Sequence, residues 1–432
     1  MRSVPPLPLR LVFAICLAAA GVAEAAAAEK TVDIGCLYPM TGRAALYGKD
    51  SVAAIEMAVD EINGAGGAAG RKLRVLFADS QSKPAFATRI AHRYITEDKV
   101  DFLCGGVSSS VGLAVSKAAN DFRKIFVGTD HASTRLVIEN WHRYYFRVSS
   151  STYQSMAAGA LYLADLQKEK RWKTIAFIGP DYEYGHGMWD DLRSKLDELG
   201  VSYQVVGEFW PKLYEPDLTP YIAAIRRIAP DVTINGQWDG DWIAFLRQAK
   251  AYDLFDHTRL CNFDTGGSYE AVATLKDDMP LGLVLSARHY NNWPDTEFNR
   301  RFVTAFHQRT GRYPSYSAHG AYAGMYMIAA AVRAVGNAKD TDALIRAFEG
   351  LKLKLPKDPD GFESYMDPAT HQIVEVQAIG TVVRNDAFPP ATTMLGNWRV
   401  FSAEQLMPSP QLIERRRRAA QQGVGQTGGA GE

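Results

Sequence analysis

The sequence predicts an α/β protein built from two doubly wound parallel-sheet blocks. The chain has 432 residues, more than one ordinary domain of roughly 100–200. Short apolar runs alternate with helical segments of roughly 10–17 residues, the pattern of βαβ units. That alternation runs once over about 31–148 and again over about 150–280.

The first block opens with an apolar strand at Thr31–Leu37. A helix follows at Leu46–Ile62, with Val52, Ile55, Ala58, Val59 and Ile62 on one face. The run Asn63-Gly64-Ala65-Gly66-Gly67 ends that helix, since glycine takes the left-handed backbone past a helix terminus at no steric cost. Lys72–Phe77 reads as a strand and Ala85–Thr96 as a helix. Val100–Leu103, Ile125–Val127 and Tyr144–Val148 are further short strands, with a helix from about Val111 to Asp121 between the first two. In the second block the helices are Thr152–Leu166, Tyr184–Leu199, Pro220–Ile228 and Asp241–Ala251. The strands are Thr174–Ile178, Val205–Glu208, Val232–Ile234 and Leu260–Phe263. The first block is short of strands, so the stretch that follows is expected to return to it. That stretch comprises a strand at Leu281–Leu285 and helices near Thr296–Gln308 and Tyr316–Val335. His371–Arg384 alternates apolar and polar residues and reads as a late antiparallel strand on the second block. Arg415–Arg418 and the Gly/Gln-rich end read as a solvated, disordered tail over 409–432.

Forty-eight basic and 48 acidic residues cancel. Phosphate binding needs a basic surplus, so nucleic acid is excluded as the main partner. At the N-terminus Arg2 and Arg10 flank a basic region, residues 11–23 read LVFAICLAAAGVA, and Ala23-Glu24-Ala25 forms an A-x-A cleavage signature. Thirteen apolar residues span about 20 Å as a helix, short of the roughly 30 Å hydrocarbon core. Residues 1–25 are therefore expected to be a cleaved signal peptide. Cys16 lies inside the apolar run behind bulky Phe13 and Ile15, which argues against lipidation. The remaining Cys36, Cys104 and Cys261 allow at most one disulfide. Cys36 and Cys104 sit in strand-like segments and read as buried thiols.

No catalytic or metal signature occurs: no H-E-x-x-H, C-x-x-C, G-x-S-x-G or P-loop, and nine scattered histidines. No enzyme activity, cofactor or metal is expected. What remains is a set of loops at strand carboxyl ends, where open α/β sheets bind ligands. Gly105-Gly106-Val107-Ser108-Ser109-Ser110 combines glycines with serines at a helix N-terminus, where amide N–H groups and the helix dipole attract an anion such as a carboxylate. Thr129-Asp130-His131-Ala132-Ser133-Thr134 forms a second polar turn at the same edge. The second block offers Tyr182-Glu183-Tyr184, Gln237-Trp238-Asp239 and Asp264-Thr265-Gly266-Gly267. Hydroxyls face aromatics and an acid, which suits a ligand with one anionic end closed between two lobes.

The opening IGCLYPMTGRAALYGKD, the helix ending AVDEINGAGGAAGRKL, the GGVSSSV loop, the FIGPDYEYGHGMWD turn, FLRQA and DGFESYMDPATHQ together resemble the type I periplasmic solute-binding proteins of ABC importers, in the leucine/isoleucine/valine-binding family. The resemblance spans most of the chain after residue 30. It implies two lobes joined by three crossovers, near Arg147–Ser150, Ser286–His289 and Pro356–Phe362. Lobe I would take residues 26–148 plus 286–356, and lobe II 149–285 plus 357–400. It implies a monomer in the periplasm that traps a small molecule, an amino acid or small organic acid, and delivers it to a membrane permease.

Carried over by position, Ser108 matches the carboxylate-binding serine, with Ser109, His131, Ala132 and Ser133 beside it. Tyr184 and Trp238 match aromatics of the second lobe, Tyr47 a tyrosine at the cleft edge, and Asp264 an acid for a ligand ammonium. Ala132 departs from the family, which often has Thr or Ser there, so amides, urea and aromatic acids stand beside amino acids as ligands. A periplasmic sensor of the same fold is the second functional reading, and an exported hydrolase the third.

Overall fold

The computed structural model describes residues 30–427. The signal-peptide expectation at residues 1–25, with Cys16, lies outside the described residues.

The chain begins with β1 (Thr31–Tyr38), α1 (Ala45–Gly64), β2 (Lys72–Asp79), α2 (Pro84–Thr96), β3 (Phe102–Gly105), α3 (Ser109–Asp121), β4 (Phe126–Gly128) and β5 (Tyr145–Arg147). These strands form an all-parallel sheet in the order β2-β1-β3-β4-β5. The second block contributes α4 (Thr152–Lys170), β6 (Thr174–Ile178), α5 (Glu183–Glu198), β7 (Gln204–Phe209), α6 (Thr219–Ile228), β8 (Val232–Asn235), α7 (Asp239–Ala251), β9 (Arg259–Asn262), α8 (Tyr269–Leu275) and β10 (Val284–Ser286). The chain then runs through α9 (Glu297–Thr310), α10 (Tyr316–Val335), α11 (Thr341–Phe348), β11 (Lys352–Leu353), β12 (Ser364–Met366), β13 (Ile373–Val374), β14 (Gln377–Arg384), β15 (Thr393–Phe401) and α12 (Pro410–Thr427). The second sheet has the order β15-β14-β10-β9-β8-β6-β7, and β11-β12-β13 form a small antiparallel sheet. No helix among the described residues is long and apolar enough to cross a membrane.

The strand after α8 stays in the second sheet, because β10 hydrogen-bonds β9 and β14. The helices after it do return: α10 packs along α1, and α9 touches α1 as well. The expected late strand His371–Arg384 is divided, with Ile373–Val374 in the small sheet and Gln377–Arg384 antiparallel in the second. The hairpin strand β15 was not legible, since Gly396 and Asn397 interrupt its alternation.

Three expectations fail for physical reasons. Cys36 and Cys104 are not thiols: they face each other in register on β1 and β3, 4.5 Å apart at Cα, and form a disulfide. Among the described residues only Cys261 is free, and it is buried. The tail expected to be disordered at 409–432 contains α12, whose Leu412 is buried. Arg416 and Arg417 of the four-arginine run turn back onto the protein instead of into solvent.

Two glycines place cleft residues. A Cβ at Gly320 would stand 1.8 Å from the Thr129 carbonyl, so its absence lets α10 abut the end of β4 and sets Tyr316 at the cleft. A Cβ at Gly185 would stand 2.1 Å from the Pro180 carbonyl, so glycine permits the tight turn that presents Tyr182 and Tyr184.

Candidate functional site

The carboxyl ends of the two sheets meet at a narrow cleft with room for little more than a water molecule, about 10 Å³, in the arrangement seen here. Val107, Ser109, Ala132 and Tyr316 line it from the first unit and Tyr182, Tyr184 and Trp238 from the second, with Arg288 between them. Ser109, Ala132, Tyr184 and Trp238 were expected there. Val107 and Tyr182 belong to loops singled out in the sequence without being named as site residues, and Arg288 and Tyr316 were not expected.

The anion-attracting side is the start of α3. Ser108 is its N-cap, with extended backbone (φ −75°, ψ 136°), and no side chain caps the helix. Its Oγ lies 3.0 Å from Ser110 Oγ. Ser109 Oγ accepts the Ser133 N–H at 3.2 Å, which leaves its hydroxyl proton for an incoming anion. The neighbouring serine, not Ser108, is the one that lines the cavity.

Arg288 dominates the electrostatics of the opposite wall. Its Nε and Nη2 grip Asp264 in a fork, at 3.1 Å to Oδ1 and 2.5 Å to Oδ2. Its Nη1 donates to Asp130 Oδ1 at 2.8 Å and to the Asp130 carbonyl. Asp264 also accepts Ser155 Oγ at 2.6 Å and Tyr184 OH at 2.5 Å. All three charged side chains are buried. Burial opposes ionisation of Asp264, yet the Arg288 guanidinium and these hydrogen bonds hold its carboxyl below the usual range. Burial likewise disfavours the charge on Arg288, and Asp264 and Asp130 outweigh it. Asp130 has an unpartnered buried Oδ2, and burial pushes its pKa up to about 7 despite Arg288. Asp264 therefore has no vacant acceptor for a ligand ammonium. It is a counter-ion.

The remaining expected residues take other places. His131 is turned into the sheet, with Nδ1 3.1 Å from the Gly106 carbonyl, Nε2 2.8 Å from Tyr145 OH and its ring stacked on Phe126. Burial lowers its pKa to about 3, so it is a neutral packing residue behind the loop. Ser133 Oγ donates across the cleft to Glu183 Oε1 at 2.6 Å, and Arg135 joins Glu183 at 2.9 Å. Tyr47 lies behind the cavity, its ring 6.1 Å from Trp238 and 5.1 Å from Tyr316. Its hydroxyl donates to Glu270 Oε1 at 2.7 Å and so ties α1 to α8. Burial raises Glu270 to about 7.

Arg288 was missed because it stands alone in the connection Ser286–His289, and its partners are 158 and 24 residues away. A lone cation in a short polar stretch after an apolar strand is a weak signal. No described group of histidine, cysteine and acidic residues has the arrangement of a metal site. The site sets an anion-attracting helix start at α3 beside the aromatic faces of Tyr182, Tyr184, Trp238 and Tyr316. Among the described residues that line it there is no acid to receive a cation.

Comparison with known proteins agrees with this fold. The family model described as periplasmic binding protein matches residues 31–387. The leucine-, isoleucine-, valine-, threonine- and alanine-binding protein of Pseudomonas aeruginosa is 24% identical over 352 residues, covering 81% of this chain and 91% of the relative. A Leu/Ile/Val-binding protein homologue of Brucella abortus is 26% identical over 328 residues, covering 74% and 82%. Among solved structures, an ABC-transporter solute-binding protein of Rhodopseudomonas palustris, in complex with 3,4-dihydroxybenzoic acid, has a TM-score of 0.77 at 23% identity, covering 88% of this chain and 99% of that one. An amino acid ABC-transporter substrate-binding protein of Pseudomonas fluorescens has a TM-score of 0.77 at 20% identity, covering 90% and 98%. At these identities the structures speak to the fold.

Proposed function

This chain belongs to the periplasmic binding protein family, in the branched-chain amino acid branch of ABC-transporter substrate-binding proteins, and on that premise we propose that its own solute is a small carboxylic acid without an α-ammonium group. The observation that carries this is Arg288 on Asp264. An amino acid binder needs an acid for the ammonium, and here the acid in that position is saturated by a guanidinium, Ser155 and Tyr184. Arg288 and Asp264 neutralise one another, so neither charge is left to pair with a ligand ammonium. Aromatic acids meet the remaining requirements: a carboxylate for the α3 N-terminus and Ser109, and a flat body for Tyr182, Tyr184, Trp238 and Tyr316. Relatives of this fold in complex with 3,4-dihydroxybenzoic and p-hydroxybenzoic acid supply the first compounds to test.

The protein acts as a carrier in this account, not a catalyst. It closes around the acid because the closed state alone gathers contacts from both units, and it presents the closed form to a permease. The Cys36–Cys104 disulfide supports a location in the oxidising periplasm. A thermal-shift screen of benzoates, aliphatic acids, amides and amino acids tests the reading. Stabilisation by carboxylates that lack an ammonium is expected. Stabilisation by leucine or valine alone would refute it.

A further inference from the structure

We infer that α12 bridges the two units and that Arg416 sets how readily they close. The helix lies beyond residues 31–387, the part of the chain matched by the family model. It leaves the second unit, where Ser402 caps a short turn at Ala403–Leu406 against α4, and Gln154 Nε2 donates to Met407 Sδ at 3.6 Å. It then crosses to the first. Arg417 donates to the carbonyls of Val137 and Ile138 in the first unit and lies 4.9 Å over the Trp141 ring, and it also donates to the Ala369 carbonyl. Ile413 packs with the apolar cluster of Leu136, Val137 and Ile138.

Arg416 spans the junction itself. Its Nε donates to Glu139 Oε1 at 2.7 Å, in the loop between β4 and β5, and its Nη1 to Asp191 Oδ1 at 2.7 Å, on α5 of the second unit. Asp191 is buried, and its other oxygen accepts Thr134 Oγ1 of the first unit at 2.8 Å and Thr152 Oγ1 of the second at 2.7 Å. The guanidinium is thus the counter-ion of a carboxylate shared by both units. Charge-assisted hydrogen bonds to two bodies at once fix their mutual angle, and loosening them lowers the population of the arrangement seen here.

The inference rests on the proposed closure around a solute, so its test includes an arm that needs no ligand. Glu139→Gln breaks the charge on the first-unit side and leaves Asp191 compensated. Arg416→Ala breaks both sides, and a chain ending at Pro408 removes the helix. For Glu139→Gln, small-angle scattering of the ligand-free protein should show a larger radius of gyration than the parent. Calorimetry with 4-hydroxybenzoate should show a dissociation constant about fivefold or more higher, because apparent affinity falls with the closure-competent fraction. If Arg416→Ala fails to fold, Glu139→Gln decides the matter. A Glu139→Gln protein with unchanged scattering and unchanged affinity overturns the inference. So does an Arg416→Ala protein that only melts earlier. Should the parent not bind 4-hydroxybenzoate, the ligand proposal fails and the scattering comparison still judges the bridge.

Discussion

Replacing Arg288 by methionine removes the guanidinium and keeps much of its apolar stem. Asp264 then loses two of its four donors and keeps Ser155 and Tyr184. Asp130 loses its side-chain partner, but with a pKa already at about 7 it takes up a proton easily, so the uncompensated charge is that of Asp264. Breaking one side of a buried pair costs about 3–5 kcal/mol. For a unit of roughly 200 residues that lowers the melting midpoint by roughly 6–20 °C. The same change frees the Asp264 carboxylate to receive an ammonium. A charge-assisted hydrogen bond contributes about 1.5–3 kcal/mol, so affinity for leucine relative to 4-hydroxybenzoate should rise roughly 10- to 150-fold. Calorimetry with both compounds and a melting curve read the two effects. Arg288→Lys, which keeps the charge without the fork, should fall between parent and methionine variant in stability. A methionine variant that melts with the parent and keeps its ligand preference refutes the assignment of Asp264 as a counter-ion.

Other expectations follow from the same geometry. Ser109→Ala should weaken carboxylate binding by about 1–3 kcal/mol, and Ser108→Ala by less, because only Ser109 lines the cavity; equal losses in calorimetry would return the role to Ser108. His131 is neutral in the folded protein and protonated below about 6.5 when unfolded, so its contribution is present above 6.5 and lost as pH falls toward about 3. Its ring should not titrate between pH 5 and 8 by NMR, and a midpoint near 6.5 would contradict its burial. The Cys36→Ala/Cys104→Ala protein gives up a link closing 68 residues, a loss of about 4 kcal/mol in the chain-entropy account, measurable by denaturant unfolding. Unchanged stability would show that the bond is dispensable to the fold.

The layered fold was legible because strand and helix periods are local. β1 to β9 follow from apolar runs spaced by amphipathic helices. What was not legible depends on register and on distant partners. Cys36 and Cys104 each look like a core thiol until β1 and β3 are laid side by side. His131 shares a loop with Ala132, which lines the cavity, yet its ring turns to Gly106 and Tyr145. Ser109 and Ser108 are indistinguishable by type, and the turn into α3 decides which one faces the cavity. The arginine run carries a periodic signal of its own. Arg416 and Arg417 follow Leu412 and Ile413 by four residues and share their face, whereas Arg415 and Arg418 point outward.

Isothermal titration of the parent protein with 4-hydroxybenzoate and with leucine tests the central claim most directly, because the two ligands share a carboxylate and differ in the ammonium. Binding of 4-hydroxybenzoate with no heat from leucine is the predicted result. Tighter binding of leucine would mean that Arg288 does not hold Asp264 away from the ligand, and the account of the site would be wrong.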